Sequence, residues 1–183
     1  DSPFSENEND LCESISNSSC QDEPKSVSVM VVIPRDVRET LNSPDNAYLS
    51  ALFGVEFEFI NHALASSGVK NIHIDWFLEN VEEYSNGNLN AQLNTLEGSY
   101  KDLMVSKKAD LAFFISNNLN CINGECLLGI SYEGPDLDAV YSVISLPGLV
   151  DKSNFRSVAH QMGYNLGATS GDPNSCCNPS GNS

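Results

Sequence analysis

Three short apolar runs, SVSVMVVIP (26–34), NIHIDWF (71–77) and ADLAFFISN (109–117), constrain this chain most, because a longer segment with helical spacing separates each from the next. Between the first two, SPDNAYLSALFGVEFEFINHALASSG (43–68) opens on Ser43, Pro44 and Asp45 as capping residues. It repeats apolar side chains at Leu49, Leu52, Phe53, Phe57, Ile60 and Leu64, and Gly68 ends it. Between the second and third, the turn residues SNGN (85–88) precede LNAQLNTLEGSYKDLMVSK (89–107), with Leu89, Leu93, Leu96, Tyr100 and Leu103 at helical spacing. The middle run alternates Ile72, Ile74 and Trp76 with His73 and Asp75 and predicts a strand with one buried face, whereas ADLAFFISN is apolar enough to lie centrally in a sheet. CLLGISYE (126–133) and AVYSVISLP (139–147) read as shorter strands paired with one another, and KSNFRSVAHQMGYNLG (152–167) as a last helix. The fold class expected is α/β (α+β): a mixed, mostly parallel twisted sheet flanked by long helices.

The 183 residues suit one domain, expected over 27–172. Residues 1–26 are rich in Ser, Asn, Asp and Glu and predict an acidic, flexible tail, and 173–183 a cysteine-containing C-terminal tail. With 25 acids against 9 bases the formal charge is -16, which repels phosphate backbones and anionic bilayers; nucleic acid and membrane are excluded as expected partners. Six cysteines fall in three close pairs, Cys12 with Cys20, Cys121 with Cys126, and Cys176 beside Cys177, a pattern of oxidised, secreted proteins. The Asn-Gly turn inside CINGEC favours a local Cys121–Cys126 bridge. Cys176 and Cys177 should each reach a different distant cysteine, Cys12 or Cys20 among them. The chain starts at Asp1, holds no apolar run long enough to span a bilayer and carries the glycosylation sequon Asn17-Ser18-Ser19. A mature, secreted extracellular glycoprotein is expected.

The most informative stretch is HQMGYNLGATSGD, His160 to Asp172. In the His-Glu-x-x-His motif of zinc proteases, two histidines one helical turn apart hold zinc while the glutamate acts as general base, and a glycine and third histidine extend it to the metzincin form. The stretch resembles that motif in frame: His160 at the first ligand position, Gln161 at the base, Tyr164 at the second ligand, Gly167 at the turn and Ser170 at the third ligand. Gly163 and the Asn165-Leu166-Gly167 wording are similar to the reprolysin or adamalysin branch, usually spelled HELGHNLG. The order of VSVMVVIP, NAYLSALFGVEFEFINHALA, NIHIDWF, LNTLEGSYKDLM, ADLAFFIS and LGISYEG ahead of this helix resembles the same branch, over about residues 26–172.

The resemblance implies a metzincin-like catalytic domain, and the departures imply that its chemistry is lost. Of three ligand positions only His160 keeps a histidine; a phenol at Tyr164 and a hydroxyl at Ser170 are poor neutral ligands, and Gln161 cannot accept a proton from water. No methionine follows Asp172 to form the family's methionine turn. Elsewhere in the chain Asp172, His73 and His62 share no ligand spacing, the acids of EGPDLD (133–138) lack the pattern of a calcium loop, and no G-x-S-x-G marks a serine nucleophile. The helix could equally be scaffold, with Val158, Ala159, Met162 and Leu166 as its buried side and Gly167 as its C-cap. The expectation is therefore a secreted pseudoenzyme, not an enzyme and without cofactor. It would bind an extracellular protein, peptide or small ligand at the former cleft around His160 and Tyr164. Two alternatives stand beside it: an acidic, calcium-associated matrix protein, and a rewired hydrolase relying on His160 and Tyr164.

Overall fold

The computed structural model describes residues 25–42, 45–122, 125–132, 140–150 and 157–165. The capping residues Ser43 and Pro44, the sequon at Asn17, Cys12, Cys20, Cys176, Cys177, the acids of 133–138, and Leu166, Gly167, Ser170 and Asp172 lie outside them.

Strand β1 (Lys25–Ile33) pairs in parallel with β2 (Ile72–Asn80) on one side and β3 (Leu111–Ser116) on the other. β3 pairs in parallel with β7 (Tyr141–Ser145), and β7 in antiparallel with the short edge strand β6 (Gly129–Ser131). The sheet order is β2-β1-β3-β7-β6, a mixed, mostly parallel sheet in an α/β fold with the central ADLAFFISN strand in the middle and fully buried.

Parallel neighbours require crossovers, and the two long helices supply them: α2 (Ala47–Ser66) between β1 and β2, α3 (Leu89–Lys107) between β2 and β3. The period-2 alternation of the strands divides the core into two layers. Val29, Val31 and Ile33 of β1, with Leu111, Phe113 and Ile115 of β3, pack against Leu49, Phe53, Phe57 and Ile60 of α2. The intervening Met30, Val32, Ala112 and Phe114 pack on the opposite face against Leu89, Leu93, Leu96, Tyr100 and Met104 of α3. Phe57 joins the first layer by stacking on Trp76 of β2 at 5.5 Å and Phe113 at 6.4 Å. On β2, Ile74 is buried but Ile72, the first residue of the strand, is exposed. Asn61 of α2 covers part of this edge strand: Ile74 N–H donates to its Oδ1 at 2.7 Å and its Nδ2 donates to Ile74 O at 3.0 Å.

Four elements differ from the sequence reading. A short helix α1 (Arg35–Leu41) directly follows Pro34; with one buried residue, Val37, seven residues carry no readable period. Arg38 fixes it, its guanidinium reaching Ile33 O, Val81 O and the Glu82 carboxylate. At the start of α2, Asp45 caps as the sequence suggests, its Oδ1 accepting from Ala47 N–H, but the N-cap position itself is Asn46, in the left-handed region (φ 57°). CLLGISYE divides: β5 (Glu125–Leu127) forms a hairpin with β4 (Asn120–Ile122), and β6 begins after Leu128. AVYSVISLP also divides, since β7 stops at Ser145 and α4 (Leu146–Val150) begins at once; Pro147 is tolerated in a first turn, where no N–H is needed. At the hairpin, Cys121 and Cys126 face each other across the strands and are joined by a disulfide.

Candidate functional site

Helix α5 (Ser157–Asn165) carries the motif stretch up to its second ligand position. Val158 and Met162 point into the core layer beneath α2, as an i, i+4 pair must to share one face. His160 and Tyr164 form the next such pair and point away from that core: the imidazole is exposed, the phenol half-buried, and their rings meet edge-to-face at 4.7 Å and 78°. The fold thus brings together the first and second ligand positions.

That pair does not suit zinc. A structural or catalytic site asks for at least three nitrogen, sulfur or carboxylate donors, and a phenol ordinarily keeps its proton at neutral pH. Among the described residues no three His, Cys, Asp or Glu side chains converge. His62, on α2, contacts Ser66, and His73, on β2, contacts Asp75; neither joins His160. What His160 and Tyr164 do offer is an amphipathic surface of two aromatic rings with polar tips.

Gln161, at the position of the general base, is buried at 5 % exposure, as is Asn165 one turn on at 8 %. Both face the sheet edge. Ser131 Oγ of β6 lies 2.5 Å from Gln161 Oε1 and 2.9 Å from Ser142 Oγ of β7; Ser142 Oγ lies 2.5 Å from Asn165 Oδ1, and Asn165 Nδ2 donates to Tyr141 O at 3.2 Å. Ser131 Oγ donates to Gln161 Oε1 and also lies 3.2 Å from the Gln161 backbone O, and Ser142 Oγ donates to Asn165 Oδ1. The residue at the base position is thus a neutral amide held as a hydrogen-bond acceptor in a buried polar cluster. Gly129 permits this approach, since a Cβ there would stand 3.1 Å from Gln161 Cγ, Gln161 Nε2 and Val143 O.

The sequence reading placed Val158, Ala159 and Met162 on the buried side, and the first and last are fully so. It names Gln161 only at the general-base position and reads neither Gln161 nor Asn165 as buried. The signal was available: 158, 161, 162 and 165 continue one helical face, and two amides on that face imply polar partners on the strand they cover. It also missed Glu56, which shares the face of Leu49, Phe53 and Ile60 on α2. Glu56 is 1 % exposed, neither of its carboxylate oxygens has a hydrogen-bond partner among the described residues, and burial pushes its carboxyl up to about 7.

A second polar cluster lies where β1 and β3 end. Ser85 donates through both N–H and Oγ to Asp36, and its own Oγ accepts from Asn117 N–H at 3.0 Å. Asn118 Nδ2 donates to Ser85 O and Gly87 O. These groups satisfy one another and knit α1 and the β2–α3 connection to the sheet.

No family model matches the chain, and no curated protein matches it. Solved structures do. Metalloproteinase-II from Bacteroides fragilis superposes with a TM-score of 0.50 at 11% identity, over 79% of this chain and 42% of that one. A chain in the structure of a chaperone–substrate complex superposes with a TM-score of 0.60 at 14% identity, over 79% of this chain and 26% of that one. Both neighbours are longer than this chain, which spans less than half of either. At such identities the likeness is one of fold, and the fold is shared with a metalloproteinase.

Proposed function

We propose that this chain is a metzincin-like, reprolysin-type domain whose zinc chemistry has been replaced by packing, and that it acts outside the cell by binding rather than catalysis. The observation that carries the reading is the burial of Gln161. Where a protease of this kind needs a carboxylate free to take a proton from water, this chain has an amide sealed against β6 in a polar cluster shared with β7. Tyr164 in edge contact with His160 supports it, because the second ligand position is filled by a phenol ring packed on the first rather than by an imidazole. The binding surface is then the flank of α5 beside β6, with His160 and Tyr164 at its centre and a protein, peptide or small ligand as its occupant.

The test is metal content by elemental mass spectrometry after dialysis against trace zinc, on the wild type and on a Gln161→Glu, Tyr164→His, Ser170→His variant. The wild type should retain no stoichiometric metal and the folded triple variant should gain one zinc per chain. A wild type that holds zinc tightly would sink the loss of chemistry; a folded triple variant that binds none would sink the metzincin frame.

A further inference from the structure

Helix α2 is apolar on its outward side as well as its inward one. Tyr48, Val55 and Phe59 are 48%, 53% and 45% exposed, and half-buried Leu52 completes the row. The spacing 48, 52, 55, 59 alternates four, three and four residues, the repeat with which one helix seats against another. Exposed Ala51 and Ala63 flank the row and leave room for a partner's side chains. Isolated exposed apolar residues need no explanation, but two aromatic rings and a valine aligned along three turns of one helix form a patch.

Charge decides what covers it. In a chain of formal charge -16, α2 contains no lysine or arginine; Glu58, one turn from Val55, is its exposed carboxylate. Its last turn holds no basic residue, and Asp45, whose Oδ1 accepts from Ala47 N–H, stands exposed ahead of its first turn. A second copy of this chain would approach with the same net charge of -16 and be repelled at long range, whereas a cationic partner is attracted. The geometry points to the outer face of α2 as a docking surface for a basic amphipathic helix of a partner protein. Its apolar seam would lie along Tyr48, Leu52, Val55 and Phe59, and its lysines or arginines would reach Glu58 and the helix ends. This surface is independent of His160 and Tyr164, so its failure would leave the reading of the zinc site untouched.

The probe is a synthetic helical peptide of about 18 residues, some 27 Å long, with leucines at the three-four spacing and lysines elsewhere, beside a counterpart with glutamate in place of lysine. Binding is read by isothermal titration at about 0.15 M salt. The lysine peptide should bind the wild type and the glutamate peptide should not. A Val55→Glu, Phe59→Glu variant makes the face more negative while removing the apolar seat, and should weaken the lysine peptide about tenfold or more. Should that variant lose its fold by circular dichroism, Tyr48→Ser must weaken binding in the same direction. Equal or tighter binding to the variants would reduce the interaction to general charge attraction and overturn the proposal, as would failure of the lysine peptide to bind. A concentration-dependent dimer in sedimentation velocity, abolished by Val55→Glu, would assign the face to a second copy and overturn it too.

Discussion

At Gln161 a single atom separates the two uses of this helix. A carboxylate there is a base; the amide is a neutral acceptor for Ser131, buried beside Ser142 and Asn165. Gln161→Glu should therefore destabilise the protein by about 1–3 kcal/mol at pH 7, since a charge replaces a neutral amide in a buried position. The loss should shrink at acid pH, where the carboxyl is protonated and neutral. Urea titrations of wild type and variant at two pH values check this, and an unchanged or raised midpoint at pH 7 would refute the burial of this side chain. Glu56 makes a second prediction. Its folded carboxyl titrates at about 7 against 4.5 when unburied. Below 4.5 both states hold the proton; between 4.5 and about 7 only the unfolded chain ionises, so stability falls as pH rises, by roughly 3 kcal/mol in all, and then levels off. Glu56→Gln should flatten that slope and raise the midpoint at pH 8 more than at pH 5. Parallel pH profiles of the two proteins would show that Glu56 is not the group responsible.

Among the elements, the contact of α5 with β6 matters most, because β6 is only three residues long and stands at the edge of the sheet. It is held by β7 through backbone pairing and by α5 through Ser131 and the close passage of Gly129. Neither neighbour of a new Cβ at Gly129 can retreat: Val143 O belongs to a buried strand, and Gln161 is fixed in its buried polar cluster. Gly129→Ala should cost about 1–3 kcal/mol and loosen β6 before the rest of the sheet. Hydrogen exchange localises the effect, with faster exchange at residues 129–131 and unchanged protection on β1 and β3; an unperturbed β6 would count against the packing described. The same element shows where periodicity gave out. The paired short strands were legible from their β-branched residues, but the run from Cys126 to Ser131 has no break in composition to show that Leu127 belongs to a hairpin and Gly129 to the main sheet.

For the molecule as a whole, the formal charge of -16 is the dominant long-range term. Self-repulsion among like charges opposes compaction and is screened by salt over about 8 Å at physiological ionic strength. The urea midpoint should rise as sodium chloride is raised from low to about 0.5 M, and a midpoint that falls would mean that attractive ion pairs outweigh the repulsion. Ion pairs among the described residues, such as Arg35 with Glu39, Lys107 with Glu79 and Arg38 with Glu82, each have at least one exposed partner, where such pairs contribute little.

The sequence by itself determined the alternation of strands and long helices, the central place of ADLAFFISN and the two-faced strands that make three layers, because period 2 and period 3.6 are local properties of the chain. It also determined that His160 and Tyr164 share a helical face, for the same reason. Only the tertiary structure decided that Gln161 and Asn165 are buried, that β6 is the strand they meet, and that Glu56 lies inside while Tyr48, Val55 and Phe59 lie outside. Each of those facts depends on which element covers which face, and a helix apolar on two sides, like α2, does not announce which side the sheet will take.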